Sequence, residues 1–219
     1  MIYITTYPLT QRINPMRKLL LTTAAVAAAI GLAGCGDNIG TFTDNRDGKT
    51  YKTVKIGRQT WMAENLNYNV DLSSGCYNND TSYCNKYGRL YDWDAAMIAC
   101  PAGWKLPDTA DWRKLVTRMG DDYYTVDKIK SKSGWNWNKL ENASGNGTDD
   151  FGFSALPGGY RHCGDYFESG GDNGFWWTAT AYSWSNSGAH AVLIGDDVML
   201  DYGTSKVDGI SVRCVADRP

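Results

Sequence analysis

The sequence predicts an α+β domain, and three observations carry this prediction. Residues 108–119 have the pattern of a capped amphipathic helix, and residues 51–62 have that of a β-hairpin. The last third of the chain alternates strand-like runs with Gly, Asn and Asp. With 24 glycines and 13% aromatic residues among 219, the composition is typical of a compact, loop-rich domain. We find no internal repeat and no boundary of a second domain.

The first segment of the chain has the pattern of a bacterial export signal. Arg17 and Lys18 precede an uncharged apolar run over residues 19–33, which is short for a membrane span. The run ends in Leu-Ala-Gly-Cys, which resembles the lipobox of bacterial lipoproteins, in which the cysteine, here Cys35, is lipidated. The alternative is an ordinary secretory signal with an incidental cysteine. We therefore predict that residues 1–34 comprise an upstream extension and a lipoprotein signal peptide.

The segment after the lipobox is polar and glycine-rich. We interpret residues 35–47 as a tether and residues 48–217 as the folded domain. Gly36 follows the cysteine, which by the usual lipoprotein sorting rule favours the outer membrane over the inner one, and we expect the protein at the outer membrane or cell surface. The whole chain has a net charge of −2, and loss of residues 1–34 removes basic residues only. We therefore expect no nucleic-acid partner and no attraction to an anionic membrane, so that the lipid must hold the protein there.

The folded part is predicted to begin with a turn and a hairpin. Asp44–Gly48 resembles the start of an EF-hand loop, but Arg46 stands at the third position, which needs an oxygen ligand. We interpret this segment as a turn that leads into a strand. Tyr51–Ile56 alternates apolar and polar residues, and Gln59–Met62 returns after a two-residue Gly-Arg turn.

Two helices are predicted on either side of residue 100. Asp92 is a suitable N-cap for a short helix over residues 93–99. Trp93, Ala96 and Met97 share one side of it. In the longer helix, Asp108 is the N-cap, Asp111 is the capping-box acid and Gly120 ends the helix. Its apolar residues lie on one face, which the rest of the domain must cover: Trp112, Leu115, Val116 and Met119.

The remainder of the chain is predicted to be a long aromatic loop region followed by strands. Residues 121–150 are dense in Trp, Asn, Gly and Ser. The strand-like runs are residues 153–157, 175–181, 189–194, 198–202 and 210–215. Trp176 and Trp177 would point to opposite faces of a strand, so that one can lie in the core while the other is exposed.

Five cysteines remain besides the lipobox cysteine, and an exported compartment permits disulfides. The sequence alone allows several pairings. We favour a local loop clip and a long-range bond from the turn before the longer helix to the last strand: Cys76–Cys84 and Cys100–Cys214. Cys163 is then left free. With no CxxC motif and two histidines, we predict neither a metal site nor a cofactor.

Six motifs together resemble the Fibrobacter succinogenes major paralogous domain, FISUMP. They lie at residues 47–68, 87–96 (YGRLYDWDAA), 100–115, 152–161 (GFSALPGGYR), 175–180 (FWWTAT) and 210–215 (ISVRCV). The resemblance implies export, often as a lipoprotein, and a C-type-lectin-like fold with two helices, a twisted antiparallel sheet and long loops. It also supports the Cys100–Cys214 pairing. It implies no activity, and the EPN, QPD and WND motifs of calcium-dependent lectins are absent from the sequence.

Aromatic residues among short polar ones are the candidate ligand-binding residues: Trp135, Trp137, Tyr182 and Trp184. We predict that they form one surface, with Trp135 or Trp137 beside Tyr182 or Trp184. A ring can stack on the apolar face of a sugar while Asn and Ser bond its hydroxyl groups. The alternative is that these rings pack a loop region that has no core of its own.

Catalytic residues are weaker candidates. Glu141 and Asp149-Asp150 could supply acids for glycoside hydrolysis, but turn acids before a strand are common. His162 beside Cys163 suggests nucleophilic catalysis, which needs a third, orienting group. We therefore expect no enzyme but a lipid-anchored envelope module for binding or adhesion, with polysaccharide or another envelope protein as partner. The alternatives are an enzyme of glycosidase or formylglycine-generating type and a purely structural envelope protein.

Overall fold

The structure is a computed structural model, and it describes residues 38–120, 125–139, 142–183 and 185–217. Its α-helices are α1 (Thr81–Tyr87), α2 (Trp93–Ala99), α3 (Thr109–Met119) and α4 (Thr125–Ile129). The first strands are β1 (Ile39–Thr43), β2 (Thr50–Ile56), β3 (Gln59–Met62), β4 (Ser74–Gly75), β5 (Leu90–Tyr91), β6 (Trp104–Lys105), β7 (Trp137–Asn138) and β8 (Ala143–Ser144). The remaining strands are β9 (Gly158–His162), β10 (Tyr166–Gly170), β11 (Gly174–Ala181), β12 (Gly188–Ile194), β13 (Val198–Ser205), β14 (Ile210–Ser211) and β15 (Val215–Ala216). The predicted α+β class is confirmed.

Two sheets organise the domain. The first has the strand order β1-β2-β3-β15-β6. The second has the order β10-β9-β11-β14-β5-β4, and β12 pairs with both β11 and β13. A separate ribbon consists of β7 and β8. Most pairs are antiparallel, as predicted, but β11 pairs in parallel with β9 and β14.

Strand β11 lies between two hydrophobic cores. Trp176 packs in one core with Trp112 of α3, and Trp177 packs in the other with the alanines of α2. The sequence allowed one of these tryptophans to be exposed, but both are fully buried. Because both faces of β11 are covered, the alternation along the strand divides its side chains between two cores rather than between core and solvent.

Helix α3 forms as predicted. The Asp108 carboxylate accepts a hydrogen bond from the Asp111 backbone N–H at 2.7 Å, and the return bond from Asp108 N–H completes the capping box. The Asp111 carboxylate also lies 2.7 Å from Lys105 Nζ. Burial is the largest single influence on the pKa of Asp111 and raises it, but the bonds and charges of Lys105 and Lys114 together lower that pKa below its usual value.

The predicted hairpin and the predicted short helix are also present, as β2–β3 and α2. The buried side of α2 differs from the prediction. It consists of three alanines, Ala95, Ala96 and Ala99, whereas Met97 is 43% exposed. Short side chains on this side let the helix pack closely on β11, while Met97 and Ile98 are exposed and Trp93 is partly buried against the same core.

Part of the segment that the sequence predicts to be a tether is folded. Ile39–Thr43 forms β1, in which Ile39 lies opposite Val54 of β2. Four of the five β1 residues are exposed, so no apolar alternation marked this strand in the sequence. Its pairing with β2 relies on backbone hydrogen bonds at the sheet edge, which sequence patterns do not reveal.

Other elements were missed or misplaced. Helix α1 lies in a segment rich in Asn, Tyr and Ser that the sequence predicts to be a loop, but Asp80 caps it by accepting a bond from Ser82 N–H at 2.8 Å. Residues 153–157 supply only a single bridge, from Ala155 to Lys130. The predicted strand at 210–215 divides into β14 and β15, which belong to different sheets. The β9–β10 hairpin was not predicted, since its glycines interrupt the pattern.

Both predicted disulfides are present. Cys76 and Cys84 have Cα atoms 5.0 Å apart, and Cys100 and Cys214 have Cα atoms 5.9 Å apart. Within the described residues Cys163 is exposed and belongs to no disulfide. The long-range bond joins the end of α2 to the chain between β14 and β15, so it connects residues 114 positions apart.

Candidate functional site

A surface groove of about 330 Å³ lies where the β7–β8 ribbon meets the turns before β11 and after β12. Its lining residues are Lys130, Trp135, Asn136, Trp137, Asn138, Lys139, Gly145, Gly171, Asp172, Asn173 and Asp196. We call this the Trp137 groove, because the ring of Trp137 is 59% exposed there. An exposed tryptophan in a polar groove is unusual for a structural residue, and it makes this surface the candidate site.

The ribbon is held against the turn before β11 by backbone contacts. Asn136 N–H donates to the Gly171 carbonyl in that turn at 2.8 Å. Within the ribbon, Gly145 N–H donates to the Asn136 carbonyl at 3.1 Å. Gly171 has a φ of +89°, and a Cβ there would overlap the Asn136 side chain. Glycine is therefore required at this position, both for the backbone conformation and for the close approach of the two segments.

Trp135 supports the groove from below. Its side chain is 7% exposed, and its Nε1–H donates to the Ala155 carbonyl at 3.1 Å and to Ser131 Oγ at 3.2 Å. The Lys130 ammonium lies 4.4 Å from the ring centroid and covers one ring face. A buried ring with a covered face cannot stack on a sugar, so for Trp135 the structural alternative holds.

Two amide–carboxylate pairs line the groove. Asn136 Nδ2 donates to Asp172 Oδ1 at 2.9 Å, and Asn138 Nδ2 donates to Asp196 Oδ1 at 3.1 Å. These bonds fix the planes of the side chains on either side of Trp137 in the sequence. A fixed amide or carboxylate loses less conformational entropy when it binds a ligand hydroxyl group.

Tyr182, another predicted binding residue, does not line this groove. Tyr182 is half-buried, with its ring 4.4 Å from that of His190 on β12, and it is not among the described residues that line the groove. Its ring occupies the space above Gly188 and Gly203, where a Cβ would collide with it. Trp184 lies outside the described residues, as do Cys35 and Glu141. Of the three predicted binding residues that the structure describes, the groove thus contains Trp135 and Trp137.

Two of the catalytic candidates, His162 and Asp149, have hydrogen-bond partners in the structure. His162 Nδ1 lies 2.8 Å from Asp208 Oδ1, and Thr204 Oγ1 donates to Asp208 Oδ2 at 2.5 Å. This contact, between residues 46 positions apart, could not be read from the sequence. Asp149 accepts bonds from Ser154 N–H at 2.7 Å and Ser154 Oγ–H at 2.5 Å, as a turn acid does. In the described part of the chain no three side chains of His, Cys, Asp or Glu group together as metal ligands.

A fully buried arginine forms a second polar cluster, which the sequence analysis missed. Arg213 donates from Nε and Nη2 to Asn65 Oδ1, at 2.9 and 2.6 Å. It also donates from Nη1 to the Phe153 carbonyl and from Nη2 to the Ser154 carbonyl at 3.2 Å. Burial lowers the pKa of Arg213 to about 9, so the group remains charged at neutral pH. The available signal was a charged residue within the apolar run Ile210–Val215.

The fold and the groove together define an α+β domain with two disulfides and a polar surface groove that contains an exposed tryptophan. Residues 54–216 match the family described as the Fibrobacter succinogenes major domain. This match covers most of the chain, so the protein belongs to that family, as its motifs indicated. No curated protein and no solved structure matches the chain. Among the described residues no helix is long and apolar enough to cross a membrane.

Proposed function

We propose that this protein is a lipid-anchored envelope protein that binds polysaccharide in the Trp137 groove and performs no catalysis. The observation that carries the proposal is the exposed Trp137 ring between two fixed amide–carboxylate pairs. The proposed place is the outer membrane or cell surface, and the proposed fold class is C-type-lectin-like. The lipobox and Gly36 support the proposed place, and the family resemblance supports both the place and the fold class.

The groove has the chemistry that sugars require. The C–H face of a pyranose ring is apolar and stacks on indole, whereas its hydroxyl groups both donate and accept hydrogen bonds. Asp172 and Asp196 supply hydrogen-bond acceptors. Asn136, Asn138 and Asn173 supply side-chain amides, each of which has both a donor and an acceptor. A volume near 330 Å³ is at the small end of ligand sites and suits about one or two sugar units of a longer chain.

Replacing Trp137 by alanine is expected to weaken glycan binding at least tenfold, because a central aromatic contact typically contributes about 2 kcal/mol or more. A glycan array with the mature domain would identify the polysaccharide, and calorimetric titration would compare the dissociation constants. Tyr166→Ala is the matched control, since Tyr166 is 67% exposed on β10 and does not line the groove. Unchanged binding by Trp137→Ala, or loss only together with unfolding, would exclude this groove.

A reducing-end assay on the same polysaccharide and a Cys163→Ala variant separate the catalytic alternatives. Release of reducing ends from the bound polysaccharide would favour a glycosidase over a binding module. A formylglycine-generating type of oxidase uses paired cysteines, whereas four cysteines of the described chain are in disulfides and Cys163 stands apart from them. Binding with neither hydrolysis nor dependence on Cys163 is the expected outcome.

Lipidation at Cys35 is tested by its own substitution. Cys35→Ala is expected to release the protein from the membrane fraction or leave it unprocessed, because the thiol carries the lipid and no other anchor is proposed. The measurements are membrane fractionation and the intact mass of the parent protein and of Cys35→Ala. An unchanged distribution and an unchanged mass relative to the parent protein would show that Cys35 is not the anchor.

A further inference from the structure

Two carboxylates of the Trp137 groove have no cationic partner in the part of the chain that the structure describes. Asp172 and Asp196 are both exposed, and their Oδ1 atoms accept from the amides of Asn136 and Asn138. Among the described residues, no lysine, arginine or histidine nitrogen lies within salt-bridge distance of either carboxylate, and neither Oδ2 accepts a hydrogen bond. Each aspartate therefore has an oxygen and a negative charge that a ligand in the groove can meet.

The lysines that line the groove offset these charges only in part. Lys130 is 5% exposed, and its ammonium lies 4.4 Å from the centroid of the buried Trp135 ring. With so little exposed surface, this lysine offers a ligand almost no contact. Lys139, which follows β7, is exposed. The surface that a ligand meets therefore carries two carboxylates and one ammonium group.

The amide bonds hold both carboxylates in the groove. Because Asn136 and Asn138 each donate to one oxygen, a ligand that displaces either carboxylate must also break that bond. A carboxylate can accept a charge-assisted hydrogen bond from a sugar hydroxyl group, which is stronger than a neutral one. It cannot bond a second carboxylate or a sulfate ester, because those groups have acceptors only. Like charges about 4 Å apart also repel in water, which lowers affinity about fivefold.

We propose that the Trp137 groove selects uncharged polysaccharide over acidic polysaccharide, with Asp172 and Asp196 as the residues that determine this selectivity. The inference rests on the glycan binding proposed above and narrows its substrate class. A neutral pyranose can stack on Trp137 while its hydroxyl groups donate to both carboxylates. A uronic acid or a sulfated sugar in the same place has lost one of these donors and brings a negative charge toward the two aspartates.

A glycan array that carries β-glucans, mannans and galactans, each beside its own C6-oxidised uronate form, tests the selectivity. The mature domain should bind a neutral polymer at least about fivefold more tightly than its oxidised form, and high salt should narrow the difference. Asp172→Asn with Asp196→Asn keeps the shape of both side chains and removes both charges, so the preference should fall to about twofold or less. Asp165→Asn with Asp201→Asn removes two exposed charges that do not line the groove and should leave the preference unchanged.

Three results would overturn the proposal. They are uronate forms bound as tightly as the neutral ones, an unchanged preference in the Asp172/Asp196 variant, or an equal loss of preference in the Asp165/Asp201 control. Thermal unfolding of each variant must match that of the parent, and the two single substitutions replace the double variant if it does not.

Trp137→Ala on the same array separates this proposal from the glycan binding on which it rests. If the parent binds both polymer forms equally and Trp137→Ala loses both, the groove is the site and only its selectivity is wrong. If Trp137→Ala binds as the parent does, both proposals fail.

Discussion

Replacing Arg213 by alanine is expected to lower the free energy of unfolding by about 3–5 kcal/mol, the range found when one partner of a buried charged network is removed. The guanidinium is fully buried and donates to Asn65 Oδ1 and to the Phe153 and Ser154 carbonyls. Alanine would leave these acceptors without their donors and would open a cavity beside the Phe153 ring, whose centroid is 4.4 Å from the guanidinium carbon.

Two further substitutions separate the hydrogen bonds from the volume. Arg213→Met keeps much of the side-chain volume but none of the donors, so it should cost less than alanine and still destabilise the fold. Arg213→Lys keeps the charge but not the planar fork that reaches several acceptors, so it should also destabilise.

Urea unfolding with the disulfides intact provides the measurement for the Arg213 series. Arg118→Ala is the control, because that exposed arginine should change stability by no more than about 0.5 kcal/mol. Stability of Arg213→Met equal to or above that of the parent would show that the buried hydrogen bonds are not what this arginine contributes.

Removing the Cys100–Cys214 disulfide is expected to cost nearly 5 kcal/mol in the loop-entropy model, because the bond closes a loop of 114 residues. The bond ties the end of α2 to the chain between β14 and β15. Cys214 is fully buried in the hydrophobic core that contains the alanines of α2. Without it, the unfolded chain gains the conformational freedom of more than half of the domain.

The Cys76–Cys84 pair is the internal control for this prediction. Its bond closes a loop of only eight residues, for which the same model gives about 2.5 kcal/mol. Both cysteines of each pair are replaced by alanine, and the two variants are unfolded in urea. The variant without the Cys100–Cys214 bond should be the less stable of the two. Equal losses, or a larger loss for Cys76/Cys84, would contradict the entropic account, and peptide mapping without reductant would verify both bonds in the parent.

Elements with a complete local signal could be predicted from the sequence. Helix α3 has its N-cap, its capping-box acid and its apolar face within twelve residues, and the β2–β3 hairpin has its turn between two alternating strands. Strand β1 lacked such a signal, because four of its five residues are exposed and it is held in place by pairing with β2. Strand β1 is therefore stabilised by tertiary contacts rather than by a local pattern, whereas the missed helix α1 does have a local signal, its N-cap Asp80.

The candidate site was only half predictable for the same reason. Trp135 and Trp137 have similar neighbours in the sequence, and two residues apart on a strand they would share one face. The ribbon begins only at Trp137, however, so Trp135 turns inward to the Ala155 carbonyl while Trp137 stays 59% exposed. Which ring is buried depends on residues 20 positions away, and composition carries no such information.

The family motifs account for the fold rather than for the ligand. Asn65, Phe153, Trp176 and Arg213 come from four separate motifs and meet in one buried cluster, in which Trp176 Nε1–H also donates to Asn65 Oδ1 at 2.8 Å. The lining of the Trp137 groove lies outside all six motifs. Membership of the family therefore indicates the scaffold, and the ligand has to be inferred from the groove of this chain.

The most direct test of glycan binding in the Trp137 groove is an amide and indole N–H spectrum of the mature domain, titrated with the saccharide that the array selects. If the groove binds glycan, the Trp137 indole signal, assigned with Trp137→Phe, should shift together with the side-chain amides of Asn136 and Asn138. The buried indoles of Trp61, Trp112 and Trp176 should stay in place. Shifts confined to other surfaces, such as the β9–β10 hairpin, or a Trp137 signal unchanged at saturation would contradict it.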